Sequence, residues 1–258
     1  MIGDVVGKNG CEFLKWKLPL LKESKKIDFI IVNGENSAEG NGIIPVTADY
    51  IFNSGANVIT TGNHVFRRKE IRKYLDDNQF IIRPLNYPPF TTPGNGYCKI
   101  DLGNVRVCII NVLGTIFLES MRCPLTSIDE IMDDIKDCEI KIVDFHAEAT
   151  AEKRAMGFYL DGRVSAVLGT HTHVQTSDEC ILPKGTGYMT DVGMTGVIHS
   201  VLGVKPEISI SRIKDKLPIK FENANGACKM ECVLLDIDNN SGKTKFIERL
   251  RITPDYKG

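Results

Sequence analysis

The chain has 258 residues, 42% of them hydrophobic and 25% charged, the ordinary globular balance, and it is long enough to bury a full core without disulfide staples. Lys+Arg number 32 against 33 Asp+Glu, a formal net charge of -1, so there is no basic excess to track a long nucleic-acid backbone. Disordered, collagen-like and disulfide-scaffold classes are excluded, while single nucleotides remain possible substrates.

Taken in chain order, the first apolar run, Ile2-Gly3-Asp4-Val5-Val6-Gly7, is a very short strand. Apolar periodicity predicts a helix over 11–25, a strand over 28–33, a helix over 46–54, a strand over 57–61, a helix over 67–78 and a strand over 80–83. Strands follow over 97–102 and 105–112, joined by Leu102-Gly103-Asn104 as a hairpin. A helix over 127–136, a strand over 139–145, a helix over 151–159 and strands over 164–169 and 187–191 come next. Segment 205–216 is ambiguous, because Pro206 suits a helix start while Ile208, Ile210 and Ile213 do not settle the period. Alternating runs near 227–237 and 243–252 close the chain as a second hairpin through Asp238-Asn239-Asn240-Ser241-Gly242. Strand–helix alternation argues for an α/β layer architecture with antiparallel additions, and the absence of repeats or Pro/Gly/Ser-rich linkers for one domain over 1–258.

Nothing resembles a signal peptide or a membrane span; Phe29-Ile30-Ile31-Val32 is far too short to cross a bilayer. The eight cysteines are scattered and form no C-x-x-C pair, which reads as buried reduced thiols in a cytoplasmic protein.

The informative pattern is where acids, asparagines and histidines fall. Asp4, Glu35 with Asn36, Asn63 with His64, His146, and His171 with His173 each lie at or just after the end of an apolar strand. In an α/β sheet the loops beyond the strand C-termini gather on one rim, where ligands bind. Each cluster alone has a bland alternative: Asp4 or Glu35 could cap a following helix, and a lone histidine is usually structural. Five clusters coinciding at strand ends point to a shared metal site. Its donors are oxygen and nitrogen with no thiolate, which suits iron or manganese, with zinc possible, in an open catalytic site. The donors suffice for two ions sharing one carboxylate.

These residues resemble the calcineurin-like metallophosphoesterases. The finer pattern is similar to the bacterial YmdB-like branch, through Gly3-Asp4-Val5-Val6-Gly7, Asn33-Gly34-Glu35-Asn36-Ser37-Ala38, Thr61-Gly62-Asn63-His64, Arg83-Pro84-Leu85-Asn86-Tyr87-Pro88, Asp144-Phe145-His146-Ala147-Glu148-Ala149-Thr150, Gly169-Thr170-His171-Thr172-His173-Val174-Gln175-Thr176 and Thr190-Asp191-Val192-Gly193-Met194-Thr195-Gly196. The resemblance implies a four-layer α/β/β/α sandwich with two mixed sheets and a binuclear centre. It implies Asp4, Glu35, Asn36 and His173 on one ion, and Glu35, Asn63, His146 and His171 on the other, with Glu35 bridging. His64 would be the general acid, a role that suits an imidazole's ordinary pKa.

Most of the wider superfamily begins with Asp-x-His, where this chain has Asp4-Val5-Val6, and Asn36 is the substitute ligand. Two departures from the branch itself are the few residues before Asp4 and the pair Phe66-Arg67 where relatives carry Trp and often an acid. The implied reaction is hydrolysis of 2',3'-cyclic nucleotides to 3'-nucleotides, and the implied assembly a homo-oligomer. Alternatives are a phosphomonoesterase acting on a small metabolite and a non-catalytic regulatory or RNA-decay adaptor.

Arg83, Asn86 and Tyr87 are candidate substrate contacts, weighed evenly against a rigid, proline-restricted packed turn. Asp144 and Glu148 are candidate partners of His146 or its neighbours, with capping or surface roles equally open. Asp191 to Gly196 reads as a turn, and His199 as structural or surface.

Overall fold

The computed structural model describes residues 1–255; the last three positions of the domain expected over 1–258 lie outside the described residues. The elements are β1 (Asp4–Val5), α1 (Gly7–Lys25), β2 (Ile31–Asn33), α2 (Pro45–Asn53), β3 (Val58–Thr60), α3 (Ile71–Asp77), β4 (Ile81–Ile82), β5 (Tyr97–Asp101), β6 (Arg106–Leu113), α4 (Pro124–Ile131), β7 (Ile140–His146), α5 (Thr150–Leu160), β8 (Ala166–Thr170), β9 (Cys180–Ile181), β10 (Gly187–Met189), β11 (Met194–Val197), α6 (Pro206–Asp215), β12 (Cys228–Ile237) and β13 (Thr244–Ile252).

Every expected strand run overlaps one of these strands. Helix α1 begins at Gly7 rather than residue 11, because Gly7 at φ +61° turns the chain straight out of β1, while its apolar period starts only at Cys11. Pro124 and Pro206 each open a helix, which moves α4 earlier than 127 and settles 206–215 as α6. Met194 to Gly196, read as part of a turn, lie in strand β11.

One sheet has the order β5-β6-β7-β8-β10-β9, parallel from β6 to β10 with antiparallel edges. The facing layer is not one mixed sheet but two pieces, parallel β2-β3-β4 and mixed β1-β11-β12-β13. The short first strand explains the division. Residues 1–3 touch both pieces, but Ile2 contributes only single bridges, to Val32 and to Cys232.

Three apolar clusters define the layers. Leu14, Leu18 and Leu21 of α1 and Ile51 of α2 pack on Val32, Ile59, Met230 and Cys232. Ile31, Val58, Ile82 and Val233 meet Ile109, Ile142, Leu168 and Met189 between the sheets. Ile128 and Ile131 of α4 and Met156 and Leu160 of α5 cover Ile110, Val143, Phe145 and Val167. The result is helix, sheet, sheet, helix. No helix among the described residues is long and apolar enough to cross a membrane.

Candidate metal centre

The parallel strands of both layers deliver their C-terminal ends to one rim. Asp4 lies in β1, Glu35 and Asn36 follow β2, Asn63 and His64 follow β3, His146 ends β7, and His171 and His173 follow β8. The structure brings all eight residues together.

The first focus is Nε2 of buried His146. Glu35 Oε1 lies 3.0 Å from it, Asn63 Oδ1 3.1 Å and His171 Nδ1 3.0 Å. One ring nitrogen carries at most one proton, so three lone-pair atoms crowded around it form a donor set suited to a cation. Ligand atoms of Glu35, His146 and His171 all lie within 4.8 Å of one another. At the second focus, His173 Nε2 is 3.5 Å from Asp4 Oδ1 and 3.2 Å from Asn36 Nδ2, and that amide also donates to Glu35 Oε1 at 3.2 Å. Asp4 Oδ1 is buried and has no hydrogen-bond partner among the described residues, a costly state that a cation relieves.

Each candidate histidine ligand is held from behind. Thr170 Oγ1 donates its one proton to Asp144 Oδ1 at 2.7 Å, so it must accept from His146 Nδ1 at 2.9 Å. His171 Nε2 lies 3.0 Å from Glu148 Oε2, and His173 Nδ1 3.1 Å from the Leu202 carbonyl, both acceptors. The outer nitrogen of each ring therefore carries the N–H. The inner lone pairs of His146, His171 and His173 are left for a metal, the arrangement that orients imidazole ligands in metal sites.

The buried acids and imidazoles of the site perturb one another strongly. Burial would raise the Glu35 carboxyl, but the His146 and His64 imidazoles hold it well below the usual range. Burial likewise opposes ionisation of Asp4, and His173 brings it below its ordinary value. His146 is driven down by burial yet lifted by Glu35 to about 9, while burial and His146 push His171 down to about 3.

The support continues below the rim. Asn33 Nδ2 donates to Asp144 Oδ2 at 3.0 Å, and Asn111 Oδ1 accepts from Thr61 N at 3.1 Å, so side-chain hydrogen bonds join the two layers under the site. His171 and His173 adopt φ of 101° and 62°, strained for non-glycine residues. Lys153 Nζ donates to the Thr170 carbonyl and to Asp191 Oδ2, each at 2.7 Å. Asp191 accepts from Thr172 N at 3.0 Å, so the strained loop is tied at both sides. At Gly62 a Cβ would come within 2.3 Å of Glu35 Oε2 and 2.4 Å of His146 Nε2, so only glycine fits.

His64 stands beside the donor set. Its backbone N–H donates to Glu35 Oε2 at 3.1 Å, and its Nδ1 lies 3.0 Å from Asn36 Oδ1 and 3.3 Å from Glu35 Oε1. His64, Glu35, Asn36, His171 and His173 line one wall of a cavity of about 840 Å³.

A family model described as "YmdB-like protein" matches residues 1–250. The chain belongs to the YmdB-like family. A protein of Bacillus subtilis (strain 168), described as a 2',3'-cyclic-nucleotide 2'-phosphodiesterase, is 44% identical over 256 residues, 99% of this chain and 97% of the relative. The crystal structure of a protein of Mycoplasma pneumoniae, described as a novel phosphatase, superposes with TM-score 0.92 and 35% identity, over 98% of this chain and 92% of that one. A 5'-nucleotidase precursor of Thermus thermophilus shares the fold alone, with TM-score 0.56 and 12% identity over 94% of this chain and 49% of that one. The architecture is that of the calcineurin-like metallophosphoesterases.

In this YmdB-like chain the three candidate substrate contacts are engaged with neighbouring protein groups. Arg83 Nη1 donates to the carbonyls of Pro84 at 2.8 Å and Leu85 at 3.3 Å. Asn86 donates to Leu113 O at 2.8 Å and Arg122 O at 3.1 Å, and accepts from Leu113 N at 2.9 Å. Tyr87 packs edge-on against Phe66, ring centroids 5.3 Å apart. None of the three lines the cavity that holds His64. Of the two sequence readings, these contacts match the packed turn, because Asn86 ties this segment to the end of β6 and to the Arg122 carbonyl. Asp144 and Glu148 both back the site's histidines, Asp144 through Thr170, and His199 is exposed outside it. Thr170, Lys153 and the Leu202 carbonyl escaped the sequence reading; Thr170 alone had a signal, its place directly before His171. The cavity lining from residues 201–223 also carried none.

Proposed function

We propose that this protein is a metal-dependent phosphodiesterase that opens 2',3'-cyclic nucleotides at the 2' bond and leaves 3'-nucleotides. The observation carrying the reading is the inward lone pair on each of His146, His171 and His173, set by acceptors behind the rings. The substrate class draws support from the relative described as a 2',3'-cyclic-nucleotide 2'-phosphodiesterase.

Asp4, Glu35, Asn36 and His173 would hold one ion, and Glu35, Asn63, His146 and His171 the other, with Glu35 shared. Iron or manganese suits this donor set best, with zinc as the third candidate. Bound ions of this kind supply a hydroxide nucleophile at neutral pH and neutralise charge on phosphoryl oxygens. His64 gives its proton to the 2' oxygen as the phosphorus–oxygen bond breaks, so the ribose leaves as an alcohol rather than an alkoxide. Asn36 fixes the ring through Nδ1, and Glu35 fixes the backbone beneath it, so Nε2 is the nitrogen that serves the leaving group. Asn36 presents its amide nitrogen to Glu35 and His173 here; rotation about its terminal bond would turn the oxygen to the ion and the amide N–H to His64 Nδ1, which would then accept and leave the proton on Nε2.

The test is ³¹P NMR of 2',3'-cyclic AMP with protein stripped by chelator and reloaded with manganese. Conversion to 3'-AMP by the loaded protein alone is the expected result. The relative described as a phosphatase favours a second reading, a phosphomonoesterase. Release of inorganic phosphate from 3'-AMP, with the cyclic compound untouched, would replace the first reading by the second.

A further inference from the structure

Between β11 and β12 the chain makes an excursion closed at its base by Ile198 N donating to the Ala227 carbonyl at 2.9 Å. Inside it, Ala224 N donates to Gly203 O at 2.8 Å and Lys205 N to Glu222 O at 3.0 Å, so α6 is carried on a braced frame. The frame meets the metal centre at one point, where the Leu202 carbonyl accepts from His173 Nδ1. Residues 201–223 of the frame line the same cavity as the donor set.

The side chains that line the cavity from this frame are mostly apolar, with Arg212 and Lys216 as cations among them. Val201, Leu202, Ile213, Leu217 and Phe221 line it, with Ile213 67% and Leu217 64% exposed. Exposed apolar side chains are costly in water and contribute nothing to a metal donor set. They are continuous with the metal site in a single cavity, so the molecule that bridges both has an ionic end and an apolar body. Arg212 adds shape: its guanidinium lies 4.4 Å from the centroid of the Phe221 ring, giving a pair of flat groups on the same wall. Guanidinium planes and aromatic rings are the surfaces on which nucleobases stack.

We infer that the 201–221 wall is the nucleobase subsite, with Arg212 and Phe221 as its stacking platform. The inference rests on the cyclic-nucleotide reading above and gives that site its base-recognising half. Because stacking accepts any base, the wall confers a requirement for a base more than a choice among bases.

The experiment compares 2',3'-cyclic AMP with methyl riboside 2',3'-cyclic phosphate, which lacks the base, in the manganese-loaded protein and in Phe221→Ala and Arg212→Lys. Arg212 is exposed and Lys keeps its charge, so Arg212→Lys removes the plane without threatening the fold. The expected result is a fall of about fivefold or more in the kcat/KM ratio of cyclic AMP over the base-free compound, carried by KM. Calorimetry of 3'-AMP against ribose 3-phosphate supplies a readout without turnover, and the parent's preference for 3'-AMP should shrink in both variants. An unchanged ratio together with an unchanged binding preference would overturn the subsite. Absence of turnover in the parent, with the 3'-AMP preference present and lost in the variants, would instead overturn the diesterase reading and leave the subsite standing.

Discussion

Lys153 and Asp191 form a buried ion pair, Nζ to Oδ2 at 2.7 Å, directly behind the loop that carries His171 and His173. Lys153 reaches it from α5, and Asp191 from the segment between β10 and β11. Each also binds loop backbone, the Thr170 carbonyl and the Thr172 N–H respectively. The pair thus holds in place two histidines whose backbone is strained.

Removing one partner leaves the other charge buried and alone. Asp191→Ala should therefore lower unfolding free energy by about 3–5 kcal/mol, measured by urea denaturation. The metal content after dialysis should fall as well, since the loop loses its anchor. A variant as stable and as metal-rich as the parent would remove the pair from this role.

Thr170→Val keeps the shape of the side chain but removes the acceptor for His146 Nδ1. Metal affinity should drop by about 10–100-fold in a chelator competition, as when the outer partner of a ligating histidine is removed. Thr170→Ser, which restores the hydroxyl, should recover most of it. Equal affinity in the valine and serine variants would show that the His146 tautomer is set elsewhere.

His64→Ala separates proton transfer from metal binding. Turnover should fall by about 10²–10⁴-fold while the metal content stays that of the parent. If the metal is lost with the imidazole, His64 belongs among the ligands.

Asn86→Ala tests the packed turn. Three hydrogen bonds, two of them fully buried, vanish with the side chain. Thermal denaturation should report a destabilisation of about 1–3 kcal/mol or more. KM for the cyclic nucleotide should stay unchanged, and a raised KM at parental stability would return Asn86 to the substrate.

The sequence made the donor set readable because Glu35, Asn36, Asn63, His171 and His173 sit in short glycine-bearing segments immediately after β-branched strands. Local pattern and chemistry coincide there. The partners behind the rings were far less legible. Asp144 and Glu148 are readable as candidate partners, but a carbonyl such as that of Leu202 has no side-chain signature, and Lys153 acquires its role only when α5 packs against β8. Helix α6 was ambiguous for a related reason: only Ser209 is buried along it, so Ile210 and Ile213 mark no core-facing stripe. The division of one layer into two pieces was hidden too, since it depends on how few pairings residues 1–3 make with β2 and β12.

The two layers share the donor set unequally but inseparably. Asp4, Glu35, Asn36 and Asn63 come from one layer, and His146, His171 and His173 from the other. Before the layers dock, the proposed oxygen ligands are on one side and the proposed imidazole ligands on the other. Under the proposed ligand assignment neither half has the full set, so capture of an ion would report that assembly is complete. An ion held as proposed would be a rivet through the sandwich, and prising the layers apart would require giving it up.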